Sequence, residues 1–382
     1  MNQHNPRWPL YQDVQILEPK YDLLKSHPGL WFERFFHQYQ QNWTVPDGGK
    51  QAFIQELVGT SNRASCGNTD QLTNYTDRQK SLVQDLKGFC RFYTNDWHWV
   101  TGLGLPSPLE NGFIWHPTLA TPYLPGSSVK GLVRAWLESE SETGPAHIKR
   151  WFGSPDKSTD KTANFQSGEL IFFDAIPIEP VTLALDVMTP HGGKWYSDGD
   201  RAEVDSPETV PADWNSPVPV PFMVVRQSTL LFSIAPRPGC TWTEDEQQLF
   251  KTALNEALAW LGAGAKTAIG YGYMQPDKFE NKHFEEEAQQ RLEDQENATL
   301  SEERKTLKTL RQMLEQQISN RQPYDPNGPL RKQLKQAISV AENWLPQDRQ
   351  DLKAITEECI RYWDPKKKNN KLKDLKRLVE DW

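Results

Sequence analysis

The chain has 382 residues and a formal net charge of −8. That length allows two or three domains, and a 37% hydrophobic share with 15 Trp can fill a sizeable core, which excludes a wholly disordered chain. The acidic balance excludes a globally basic nucleic-acid protein, but it says nothing about a local basic groove.

Residues 1–94 read as mostly helical. Aromatic residues in PGLWFERFFHQYQ (28–40) fall at helical intervals, a Gly/Ser/Asn-rich break spans 59–70, and TDRQKSLVQDLKGF (76–89) reads as a second helix. WHWVTGLGL (97–105) reads as a strand entering a Gly-containing loop. SSVKGLVRAWLESE (127–140) reads as a helix capped by Ser128, with Val129, Leu132, Val133, Trp136 and Leu137 as its apolar face. GELIFFDAIPI (168–178) reads as a buried strand. PVPFMVV (219–225) and STLLFSIA (228–235) give one long strand or a bent pair. A helix over 243–262 opens on a capping box, Thr243 with Glu246, and stops at Gly. AIGYGYM (268–274) is a short last strand.

In order this is β-α-β-β-α-β, the ferredoxin-like plan of an α+β fold. Its antiparallel sheet carries helices on one face, and the expectation is that the other face is open to RNA. A segment at roughly 186–218 lacks clear periodicity. It is polar, acidic and Pro-rich, yet keeps Trp195, Tyr196 and Trp214. Beyond residue 280 the composition changes: 39 of 102 residues are charged, against 55 of 280 before, so a helical appendage is expected. Leu300, Leu307, Leu310, Leu314 and Ile318 recur at helical spacing. PYDPNGP (323–329) breaks that helix, and further helices are expected at about 330–344, 348–362 and 371–381. KKKNNK (366–371) reads as a solvated connector. The expected organisation is a helical region over 1–94 packed on the core, a ferredoxin-like domain over 95–280, and a charged helical extension over 281–382.

Cys66, Cys90, Cys240 and Cys359 are widely spaced and form no CxxC, so neither a zinc knuckle nor a redox pair is indicated and no metal or other cofactor is expected. The N-terminus has no basic stretch ahead of an apolar run, and no apolar stretch approaches the ~20 residues of a membrane span. The expectation is a soluble, cytoplasmic chain with no membrane partner.

Two Gly-rich segments carry the chemistry. In TPYLPGSSVKGLVRAW (121–136), Pro125-Gly126 makes a turn and Ser127 and Ser128 open a helix, whose free N–H groups suit a phosphate. Lys130 and Arg134 share one face of it. In LGAGAKTAIGYG (261–272), Gly262, Gly264, Gly270 and Gly272 let a backbone pass close to a partner, with Lys266 and Thr267 at the centre. A nucleotide-binding phosphate loop does not fit: Ala265 precedes Lys266, Trp260 holds the first glycine position, and the loop follows a helix instead of a strand. His98 lies between two Trp and reads as structural. His116 and His191 read as loop histidines hydrogen-bonded to backbone or stacked on RNA, with His191 counted among the RNA-binding candidates; the alternative is a general acid–base pair built from the two.

TGLGLPSPLENGFIWHPTLATPYLPGSSVKGLVRAW (101–136), GELIFFDAIP (168–177), LDVMTPH (185–191) and GAGAKTAIGYG (262–272) resemble the RAMP superfamily of CRISPR-associated proteins, in particular RAMP subunits of type III-B (Cmr) effector complexes. The resemblance covers roughly 90–275. It implies a non-catalytic scaffold subunit in antiviral defence that holds the 3′ part of a guide RNA. The implied partners are guide and target RNA, other RAMP subunits and the small helical subunit. RAMPs that cut target RNA supply an Asp from the loop after the first strand; here that loop has no Asp, and Glu110 is its only carboxylate. The resemblance also implies that the 186–218 segment acts as a thumb crossing the guide–target duplex, with its aromatics as wedges. The alternative is a metal-independent endoribonuclease that processes guide RNA, with His116 and His191 as acid and base.

Overall fold

The computed structural model describes residues 20–22, 26–40, 42–139, 145–154, 166–199, 210, 215–364, 372, 375 and 377. They divide into two compact units, Met1–Asn281 and Lys282–Trp382. The first runs through α1 (Pro28–Arg34), α2 (Gly49–Val58), β1 (Ala64–Cys66), α3 (Thr69–Asp85), β2 (Phe89–Asn95), α4 (Gly126–Ser139), α5 (Pro145–Phe152), β3 (Leu170–Phe172), β4 (Ile176–Pro177), β5 (Val181–Met188), α6 (Trp195–Asp198), β6 (Val220–Gln227), β7 (Thr229–Pro236), α7 (Glu244–Trp260) and β8 (Met274–Pro276), and reaches the first residues of α8 (Lys278–Thr299).

One sheet has the order β3-β7-β2-β8, antiparallel throughout, with β4 also paired to β7. A second sheet, β1-β5-β6, is also antiparallel. Successive side chains of β2 point to opposite faces, and both faces are covered. On one, Tyr93 meets Phe232 edge-on at 5.2 Å and its hydroxyl donates to Asn255 Oδ1 of α7 at 2.6 Å. On the other, Lys80 of α3 sits over the Phe92 ring at 5.7 Å, and α3 buries Leu72, Thr76, Gln79 and Val83. This overturns the expectation of an open sheet face. The period of α3 signals burial, but sequence alone does not say on which surface.

Other expectations shift for local reasons. The helix read at 76–89 spans 69–85; Lys87 turns left-handed at φ 59°, and Gly88 must be glycine because a Cβ would meet the Ile234 carbonyl at 2.3 Å. The strand expected at 97–105 is therefore β2 at 89–95, and among the described residues of 1–94 the helices α1, α2 and α3 are joined by β1 and nearly all of β2. The strand read over 168–178 is two short strands broken around Asp174. Residues 181–188, read in part as insertion, form β5. The pair at 219–235 is bent, and its halves join different sheets. The last strand is 274–276, after a 3₁₀ turn at Thr267–Ile269. The capping box of α7 is present, Thr243 accepting from Glu246 N–H and Glu246 from Thr243 N–H.

The second unit contains most of α8, then α9 (Glu302–Ser319), α10 (Pro329–Val340) and α11 (Pro346–Trp363). Ser301 caps α9, and Pro329 and Pro346 open the next two helices. Leu307, Leu310 and Leu314 are buried against Leu334, Ile338, Leu352, Ile355 and Cys359, whereas Ile318 stays exposed. The stretch KKKNNK and nearly all of 371–381 lie outside the described residues. All four cysteines are free, and burial pushes the Cys90 thiol up to about 11 and that of Cys359 to about 12.

The two sheets part at Ser228, between β6 and β7, and one buried carboxamide holds the parting. Asn95 donates to the carbonyls of Trp97 and of Arg226, the latter at 3.0 Å. It accepts from the Ser228 N–H at 2.8 Å and the Ser228 hydroxyl at 3.0 Å, and that hydroxyl accepts from Trp99 Nε1 at 2.9 Å. Asn95→Leu keeps the branched shape and strands the two buried Ser228 donors, at ~1–3 kcal/mol for each buried group left unpaired. The expected loss is about 3 kcal/mol. Urea unfolding checks it: the midpoint should fall with the slope unchanged.

Candidate nucleic-acid interface

The Gly-rich loop after α7 is braided into the segment that follows β2. Ala265 N–H donates to Val100 O, Gly272 N–H to His98 O and Ala263 N–H to Gly272 O, each at 2.8 Å. Two of its glycines are demanded by this packing: a Cβ at Gly264 would lie 2.2 Å from Val100 O, and one at Gly272 would lie 2.0 Å from Ala263 O. Gly262 is also close, its Cβ meeting the Tyr273 ring at 2.8 Å. These three serve the protein's own backbone. Gly270 differs: its φ is 101°, and nothing lies within 4 Å of its Cβ position. The loop thus brings Ala268 and Ile269 to the surface, with Lys266, Thr267 and Gly270 half-buried beside them and Lys266 left-handed at φ 60°.

Behind the loop sits a cluster that the sequence reading missed. Tyr271 is buried, and its hydroxyl donates to Asp186 Oδ2 of β5 at 2.6 Å. Burial, then the neighbouring Asp186 carboxylate, pushes that hydroxyl well above its ordinary range, so it remains a donor. His98 Nδ1 faces the same oxygen at 3.4 Å. Trp97 stacks on His98 at 4.8 Å and tilts against Tyr271 at 5.0 Å. Phe222 of β6 lies 6.0 Å from Tyr271, and Lys266 Nζ sits over its ring at 5.4 Å. The only sequence signal was a lone Asp in an apolar strand and a lone Tyr between glycines. They are 85 positions apart and meet only through the braid.

The N-terminus of α4 is joined to this loop: Leu124 Cδ2 lies 3.8 Å from the Cβ position of Gly264. Here the capping expectation is corrected. Gly126 N–H donates to Asp174 Oδ1 at 2.7 Å, and Ser128 N–H donates to the Pro125 carbonyl at 2.8 Å, so Asp174 takes the role given to Ser128. A carboxylate at the positive end of the helix is favourable, and it occupies the place where a phosphate was expected. Gly126 is buried against Phe172 O, 2.2 Å from its Cβ position. Ser127 and Ser128 remain exposed, and Lys130 and Arg134 are half-buried, Arg134 donating to Glu138 at 2.8 Å.

The excursion from β5 to β6 leaves from the strand that carries Asp186. Its base is closed by His191 Nδ1, which donates to the Asn215 carbonyl at 3.0 Å, and by Val218 N–H donating to Pro190 O. Trp195 lies against Gly199 and Tyr196 against Gly192, and Tyr196 is 75% exposed. Trp214 lies outside the described residues. His116 Nδ1 accepts from Leu119 N–H at 3.3 Å, between the rings of Tyr75 and Tyr123. Burial lowers its pKa, which keeps the acceptor neutral. His116 and His191 share none of these partners. Glu110 sits in a left-handed turn and pairs with Lys50. Among the described residues no three His, Cys, Asp or Glu are grouped to hold a metal, and no helix is long and apolar enough to cross a membrane.

Residues 97–275 match the family model of the RAMP superfamily, so the resemblance read from the two Gly-rich segments holds over that stretch. Among curated proteins, the chain is 28% identical over 251 residues to CRISPR system Cmr subunit Cmr6 of Pyrococcus furiosus, covering 52% of this chain and 70% of that one. It is 25% identical over 158 residues to Cmr6 of Saccharolobus solfataricus, covering 40% and 52%. Among solved structures, a cryo-EM structure of the type III-B Cmr-beta complex bound to cognate target RNA matches at 21% identity and TM-score 0.44, covering 60% of this chain and 71% of that one. The crystal structure of Cmr6 from Pyrococcus furiosus matches at 23% identity and TM-score 0.29, covering 50% and 98%.

The glycines sort by what their Cβ would meet. Gly272→Ala, at φ 77° and against Ala263 O, should melt the braid and lower the thermal midpoint by several degrees. Gly270→Ala, in open space, carries only the left-handed penalty of ~1 kcal/mol. Thermal denaturation of the two variants side by side checks this ranking.

Proposed function

We propose that this chain is a guide-RNA-binding scaffold subunit of a type III-B CRISPR effector complex, non-catalytic, placed at the 3′ end of the guide. The observation that carries the reading is the braid: a RAMP Gly-rich loop that leaves Lys266, Thr267 and Gly270 half-buried beside the start of α4, where Ser127, Ser128, Lys130 and Arg134 lie. The ferredoxin-like description is supported by the sheet order β3-β7-β2-β8, with α4 connecting β2 to β3 and α7 connecting β7 to β8. Because α3 covers the sheet face that RNA-recognition motifs use, RNA follows the loops at the end of the sheet. The non-catalytic reading is supported by the Gly-containing loop at 102–123, which has no Asp and whose Glu110 is paired with Lys50. The partners in this reading are guide and target RNA, neighbouring RAMP subunits and the small helical subunit, in the cytoplasm.

Replacing Lys130, Arg134 and Lys266 together by Ala should lower the affinity for guide RNA at low salt. It should also reduce the salt slope by about 2, at ~0.7 for each single-strand phosphate no longer neutralised. Filter binding at several salt concentrations measures both, and an unchanged slope rejects the site. Incubation with repeat RNA in EDTA should give no product. Cleavage there would establish the endoribonuclease alternative instead.

The excursion between β5 and β6 serves in this reading as the thumb, with Trp195 and Tyr196 as wedges against a base step. Unstacking costs a few kcal/mol per step, which an exposed aromatic on a closed base can offset. Deleting 193–215 in the assembled complex should restore pairing at one displaced nucleotide of the guide–target duplex, read by chemical probing. An unchanged pattern with a neighbouring subunit lost would show that the segment docks protein instead.

A further inference from the structure

We infer that Trp97 is a nucleobase-stacking position: the base of a single-stranded RNA lies on its open ring face while the adjoining phosphate meets Lys266. The inference rests on the RNA-binding reading and adds to it an interaction that neither Gly-rich segment supplies. Trp97 lies two residues beyond the end of β2, after Asp96, at a point where the chain has just left the sheet. One ring face is covered by the near-parallel His98 ring, at 4.8 Å and 17°. Tyr271 closes an edge at 5.0 Å and 45°. The residue is nevertheless 51% exposed, so the face away from His98 is left to solvent.

A large indole held in this way is expensive to leave in water unless something covers it, and its orientation is fixed from behind. His98 and Tyr271 both address Asp186 Oδ2, so neither supporting ring is free to turn away. The backbone beneath is fixed as well, because the Trp97 carbonyl accepts from Asn95 and the His98 carbonyl from Gly272 N–H. A stacking surface set in advance loses little entropy on binding. The charge beside it suits a nucleotide. Lys266 reaches the same cluster through Phe222, which lies between it and Tyr271. The half-buried acid of the cluster, Asp186, is occupied by Tyr271 and faced by His98, and the exposed Asp96 beside Trp97 in the chain accepts from Gln275 Nε2 at 3.4 Å. Beyond Lys266 the loop bears Gly270, around whose Cβ position there is open space for a backbone. A cation for the phosphate and an aromatic face for the base are the two elements of sequence-tolerant single-strand binding.

The full-length chain is titrated with an unstructured 20-nucleotide RNA at several salt concentrations, as Trp97→Leu, Trp97→Phe, Lys266→Ala and the unaltered chain. Trp97→Leu keeps an apolar side chain and removes the stacking face. Its affinity should fall about ten- to a hundredfold with the salt slope unchanged. Trp97→Phe should recover part of that affinity, and Lys266→Ala should change the slope. Photocrosslinking with 5-iodouridine in the same RNA should label Trp97, identified by mass spectrometry of the peptide. Thermal denaturation confirms that each variant is folded, and the Phe variant with the crosslink decides the matter should Trp97→Leu unfold. If Lys266→Ala lowers the slope while Trp97→Leu and Trp97→Phe bind like the unaltered chain, or if no crosslink forms at Trp97, the stacking position is overturned and the RNA-binding reading stands. If the unaltered chain binds no RNA at any salt concentration, that reading falls and the stacking position with it.

Discussion

The fold of the first unit depends on a polar junction in an apolar place. Two antiparallel sheets share the run from β6 into β7, and the chain must pass from one to the other without leaving backbone groups unpaired. Asn95 does this by donating to two carbonyls and accepting from Ser228. A buried amide satisfied on both its oxygen and its nitrogen fixes one arrangement, because any slip of β6 against β7 would leave several groups without partners. From that junction the chain runs directly into Trp97, His98 and Val100, the residues to which the Gly-rich loop is tied. The candidate interface is therefore an extension of the sheet junction.

The geometry also explains why the proposed RNA-facing surface is not the sheet. Domains that bind RNA on a ferredoxin-like sheet need one face bare. Here α3 covers that face, and β7 is buried at every position. What remains exposed at the end of the sheet is loop: the outward part of the Gly-rich segment, the start of α4, and the excursion from β5 to β6. These three are physically connected, by Leu124 lying against Gly264 and by Asp186 of β5 beneath Tyr271.

Much of this was legible in the sequence, but not all. Strong periodicity and capping signals placed α4 and α7 within two residues at each end, because local hydrogen bonds and one apolar face decide a helix. Strands fared worse. WHWVTGLGL has strand-like composition, yet its backbone groups divide between Val225 of β6, the nearby Gly112 and Ile114, and a glycine loop more than 160 residues away, a set of partners that no local pattern reports. Ser128 was a reasonable cap, but a carboxylate from a strand break displaced it, and such tertiary competition is invisible along the chain. The Gly-rich loop was identified correctly as a place of close approach. Its partner in three of four positions turned out to be the protein itself. The cluster of Trp97, His98, Asp186, Phe222 and Tyr271 was missed for the same reason: its members come from four separate segments and share no spacing.

The braid has a consequence for the order in which the candidate interface can form. Val100 and His98 are made early, while Ala265 and Gly272, which close on them, are made after more than two-thirds of the chain. On the ribosome a nascent chain that ends before Gly272 contains the residues of the sheet junction but lacks the tie that holds the loop of Lys266 to His98. By placing the last tie of the interface near the end of the first unit, the chain withholds that surface until the unit is complete.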